Sequence, residues 1–128
     1  MIKVSLISIT LLFNIWNIQQ DAVLVNISTA MKAGSSKELI KYCNSNLEIK
    51  MDGQTSNYSI AQAEVVLKDF FLKNPPKGFT YIHQGTSPEG MKYTIGSYTI
   101  DGGKYRVVML IKKVKEDFKI DTINFTKE

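Results

Sequence analysis

The chain has 128 residues, with 16 basic and 12 acidic side chains, one histidine and one cysteine. A single cysteine excludes an internal disulfide, so a fold of this length must be held by its hydrophobic core. Arg106 is the only arginine and the excess of +4 is carried by scattered lysines, which argues against a nucleic-acid surface built on arginine forks.

At the start, Lys3 precedes a nearly uncharged apolar run from Val4 to Ile18. That length suits an export signal and is short for a membrane span. The expectation is a signal peptide over residues 1–20, an exported domain in the periplasm or outside the cell, and no stable membrane insertion after cleavage. Asn17-Ile18-Gln19-Gln20 lacks the small residues preferred at a cleavage site, which leaves an N-terminal anchor in the inner membrane as the alternative. Cys43 is too far downstream to be lipidated.

From Asp21, Val23, Leu24, Ile27, Ala30 and Met31 recur at helical spacing and Gly34 supplies a stop. Ser35 and Glu38 form a capping box that predicts a second, shorter helix running through Leu39, Ile40 and Cys43. Leu47, Ile49 and Met51 alternate with polar residues and end at Asp52-Gly53, as a half-buried strand does. Ser59 and Gln62 make another capping box, and Ile60, Ala63, Val66, Leu67, Phe70 and Phe71 predict a third helix, ended by Asn74-Pro75-Pro76. Four strands follow: Phe79 to Gln84, Met91 to Ile100, Lys104 to Lys113 and Phe118 to Phe125. The turns between them are marked by Gly85 to Gly90, Asp101-Gly102-Gly103 and Lys115-Glu116-Asp117.

These elements predict one α+β domain over residues 21–128, with N-terminal helices packed on a curved antiparallel meander sheet and the strand near Leu47 added at one edge. Gly96, in mid-strand, is expected to mark a kink or bulge that curves the sheet.

The order of elements resembles the nuclear transport factor 2-like fold, a cone closed by helices that is shared by ketosteroid isomerases, scytalone dehydratases and many ligand-binding modules. Ala61-Gln62-Ala63-Glu64, Leu67-Lys68-Asp69-Phe70-Phe71, Asn74-Pro75-Pro76, Tyr93-Thr94-Ile95-Gly96 and Lys104-Tyr105-Arg106-Val107 resemble a family of exported Bacteroidota proteins classed as a domain of unknown function. The resemblance runs from about Asp21 to Phe125. It implies the cone fold and carries no assigned reaction.

His83 is the only histidine, on a strand where alternation places Phe79, Tyr81 and His83 on one face. It and Asp121 are the candidates for a general base. Tyr81, Tyr93, Tyr98 and Tyr105 supply phenols, and Tyr81, His83, Tyr93 and Tyr105 are the candidate lining of a pocket in the cone. Neither a metal set nor a cofactor motif is present, and Cys43 reads as a small core residue.

A complete fold pattern without a complete catalytic set favours a non-enzymatic module that binds a small apolar ligand or a protein. The alternative is a small isomerase or dehydratase, which requires His83 or Asp121 to meet a tyrosine inside the cone. A homodimer through the exposed sheet is a further expectation, and nucleic acid is not an expected partner.

Overall fold

In the computed structural model, residues 21–128 are described, and the expected signal peptide lies outside them. Helix α1 (Ala22–Ala33) is capped by Asp21, whose side chain accepts from the Val23 amide, and closes on Gly34 in the left-handed conformation. Ser35 caps α2 (Ser36–Leu39), a single turn that tightens into a 3₁₀ turn (Ile40–Tyr42). Cys43 therefore opens strand β1 (Cys43–Met51) and is not part of the second helix as the capping pattern predicted.

The Asp52-Gly53 turn, with both φ angles positive (51° and 80°), leads directly into β2 (Gln54–Ser59), a strand the sequence reading did not contain. Helix α3 (Ile60–Lys73) has the expected Ser59–Gln62 capping box. Then come β3 (Gly78–Thr86), β4 (Lys92–Ile100), β5 (Gly103–Val114) and β6 (Asp117–Lys127). The six strands form one sheet in the order β2-β1-β6-β5-β4-β3. The meander β3 to β6 is antiparallel as expected, and β1 joins it by a parallel pairing with β6.

Helices cover one face of the sheet. Ile27 and Met31 of α1 and Leu67 and Phe70 of α3 are buried against Val107, Met109, Ile111, Ile123 and Phe125 of the central strands. Phe70 is the hub of an aromatic cluster, with ring centroids 4.3 Å from Phe125, 5.1 Å from Tyr105, 5.5 Å from Tyr98 and 5.8 Å from Phe71. That cluster packs between α3 and the sheet, on the face that a cone would enclose.

The C-terminus of α3 is tied to the same cluster through Asn74. Its amide donates to the Phe70 carbonyl (2.9 Å), its own carbonyl accepts from the Tyr98 hydroxyl (2.5 Å), and its Oδ1 accepts from the Tyr105 hydroxyl (3.4 Å). Burial, and secondarily the neighbouring Tyr105, push the Tyr98 phenol above its ordinary pKa, so it stays a donor at any physiological pH.

Two buried groups give direct tests. Burial pushes the Cys43 thiol up to about 12, with Lys119 opposing weakly, because a thiolate would lose its hydration there. The folded protein should leave a thiol reagent unreacted at pH 8 and react only as fast as it unfolds. The Thr94 hydroxyl is buried without a partner among the described residues. Thr94→Val keeps the shape and removes that desolvated group, so it should raise stability by about 1 kcal/mol, read as a higher urea midpoint.

Candidate functional site

Strand β3 decides where the candidate residues go. Tyr81 pairs with Gly96 and His83 with Ile95, so Ile82 has no partner and forms a bulge. The extra residue breaks the alternation. Phe79 and Tyr81 face the helices, whereas His83 turns to the outer face of the sheet beside Tyr93, with Nε2 3.2 Å from the Tyr93 hydroxyl. The expected single face for Phe79, Tyr81 and His83 is therefore corrected by one bulged residue. Gly96 marked the place, and the bulge lies opposite it in the neighbouring strand.

The other candidates divide the same way. Tyr105 is inside, against Phe70 and Asn74. Tyr93 lies outside, its ring laid over Gly85 so closely that a Cβ there would sit 2.2 Å from it. Asp121 occupies a second irregularity, between the pairs Leu110–Thr122 and Ile111–Ile120. Its carboxylate is held by Lys112 at 3.1 Å and Asn44 at 3.5 Å. His83 and Asp121 thus meet no inward tyrosine, and the inward tyrosines spend their hydroxyls on the backbone or on Asn74. Among the described residues, no group of three or more His, Cys, Asp or Glu is placed to hold a metal ion, and no helix is long and apolar enough to cross a membrane.

A concavity lies elsewhere. A groove of about 520 Å³ runs between α1 and β3, lined on the helix by Leu24, Val25, Ser28, Thr29 and Lys32 and on the strand by Gly78, Phe79, Thr80, Tyr81 and Gln84. The helix positions are spaced one and three apart, one stripe down a little over two turns. The Tyr81 hydroxyl donates to the Leu24 carbonyl at 2.6 Å and clamps the two walls together. Burial alone raises the Tyr81 phenol above its usual value, which keeps that proton in place. Asp21 and Lys92 form an ion pair at one end, and Lys32 stands exposed at the other. A second groove, of about 500 Å³, lies among Ser35, Lys68, Leu72 and Pro75, and its walls are helices and turns.

Of the four residues expected to line a pocket, Tyr81 is in the α1–β3 groove. Sequence reasoning missed the groove because its strand wall is recognisable as a wall only once β3 is known to be a sheet edge. The legible part of the signal was that Gly78 to Thr86 carries no Lys, Arg, Asp, Glu or Pro.

Comparison with known proteins places this geometry. The profile described as "Domain of unknown function (DUF4783)" matches residues 24–126. The chain belongs to the DUF4783 family. A DUF4783 protein from Bacteroides ovatus is 33% identical with a TM-score of 0.77, over 80% of this chain and 93% of that one. A DUF4783 protein from Bacteroides uniformis is 25% identical with a TM-score of 0.76, over 88% and 98% of the two chains. An NTF-2 like protein of unknown function from Silicibacter pomeroyi, 10% identical with a TM-score of 0.59 over 84% and 91%, shares the fold. No curated protein matches the chain. The DUF4783 domain is thus an α+β fold of the nuclear transport factor 2-like kind, as the order of its elements implied.

Proposed function

We propose that this exported DUF4783 domain is a non-enzymatic interaction module that binds another protein at the α1–β3 groove. The observation that carries the reading is the occupied interior. The Phe70 cluster packs between α3 and the sheet, where a ligand in the cone would have to sit, and the concavity beside α1 reaches the surface at Val25, Thr29, Thr80 and Gln84. The isomerase or dehydratase reading finds less support, since His83 and its partner Tyr93 lie on the open outer face. The apolar run Val4 to Ile18 supports export, with an N-terminal anchor as the alternative.

A photo-crosslinking amino acid placed at Val25, on the groove wall, tests this in the native cell. Val65 on α3, 67% exposed, is the control position. The expected result is one recurring protein adduct from position 25, absent from position 65. Equal labelling at both positions, or a small molecule co-purifying in native mass spectrometry, would overturn the reading.

A further inference from the structure

We infer that the groove takes its partner as an added β-strand: an extended peptide segment lying antiparallel or parallel on the free edge of β3, with an acidic side chain opposite Lys32. This rests on the interaction-module reading and specifies how that site is used. Strand β3 is paired only with β4 among the described residues, so its other edge presents unpaired backbone donors and acceptors. Such an edge is a template for another chain unless it is blocked. Blocking devices are few here. Gly78 to Thr86 carries no charged residue or proline, and its one irregularity is the Ile82 bulge, which interrupts the groove wall between Tyr81 and Gln84 and leaves Gly78 to Tyr81 as its regular stretch.

The dimensions suit a short extended segment. From Leu24 to Lys32 the helix wall is about 12 Å long, which matches about four residues of strand. Leu24 and Val25 would receive the side chains that point towards the helix. Lys32 forms no salt bridge among the described residues, and its ammonium at the Gly78 end complements an acidic side chain.

A second copy of the chain fits less well. Antiparallel pairing of two β3 strands places both α1 helices on the same side of the joined sheet. The strands would be about 4.8 Å apart, while packed helices need about 8–10 Å between axes. Each α1 already lies over its own β3, fixed by the Tyr81 bond to Leu24. An occupant paired antiparallel is therefore a strand without a helix of its own.

A displayed library of random peptides, selected on the purified protein, supplies the probe. Binders are then scored by amide hydrogen exchange of the labelled protein and against two variants. The expected binders alternate apolar and polar residues with an acid near one end, and they protect amides of Gly78 to Gln84 that do not bond to β4. Lys32→Glu should weaken them about fivefold at low salt. Val25→Glu should weaken them about tenfold or more by forcing a charge against the bound apolar side chain. Binders that depend on Val25 without protecting β3 amides would overturn strand addition and leave the interaction module standing. No binder sensitive to either variant would overturn both. If the β3 amides are protected without peptide and protection grows with protein concentration, the edge belongs to a second copy. If it is independent of concentration, the edge is closed within a single chain. Either result overturns the peptide.

Discussion

Phe70→Ala is expected to lower the unfolding free energy by about 3–5 kcal/mol, the cost of emptying a large aromatic site in a packed core. Phe70 is 4% exposed and has four aromatic neighbours, two of them in edge-on contact, so the loss includes pair geometry as well as area. Its neighbours cannot close the gap easily. Tyr98 and Tyr105 are held through Asn74 at the end of α3, and Phe125 is fixed in a central strand. Against a total stability of about 5–15 kcal/mol, the loss would remove a large fraction. Urea unfolding measures it as a lower midpoint at unchanged slope. Val65→Ala, on the exposed side of the same helix, should change stability by no more than about 0.5 kcal/mol. A small Phe70 effect would mean that the cluster does not fill the cone, and a ligand inside it would become the better reading of the domain.

Most of the architecture is legible in the sequence because it is written in caps and turns. Ser59 and Gln62 start α3, Gly34 ends α1, and Asp101-Gly102-Gly103 turns β4 into β5, each as the local chemistry predicts. Strand β2 was illegible for a physical reason. Gln54 to Ser59 is an edge strand whose residues are mostly exposed, so no apolar period marks it. The stronger signal was the turn before it. Asp-Gly with two positive φ angles forms the tight hairpin turn that requires a second strand, and Met51 pairs with Gln54 across it. The first residues of β1, Cys-Asn-Ser-Asn, are missed for the same lack of alternation.

The site was less legible than the fold. One unpaired residue, Ile82, moves His83 from the helix-facing side to the open side, and a bulge leaves no mark in the strand that contains it. The groove is harder still. Val25 and Thr80 are 55 positions apart in the chain and become facing walls only when β3 is the last strand of the sheet. Sequence periodicity reports which residues one element buries. It does not report which edge of a sheet remains free.

Gly96→Val should cost about 1–3 kcal/mol, although valine is the better strand former. A Cβ at Gly96 would lie 2.5 Å from two ring atoms of Phe79, far inside the 3.5–4.0 Å of ordinary carbon contacts. The ring has little freedom to yield. Phe79 is 3% exposed and packs edge-on against Tyr81 at 5.2 Å, and Tyr81 in turn holds the Leu24 carbonyl of α1. Pushing Phe79 therefore loads the clamp between the two walls of the groove, and the variant should weaken peptide binding as well as folding. Gly103→Val is the control, since a Cβ there meets nothing within 4 Å and the effect should stay within about 0.5 kcal/mol. Phe79→Leu shortens the obstructing side chain, so in the double variant the two costs should fall short of additivity by about 1 kcal/mol or more. Additive costs would place the penalty in the strand backbone, and the Phe79–Tyr81–Leu24 chain would then have no part in setting the width of the groove.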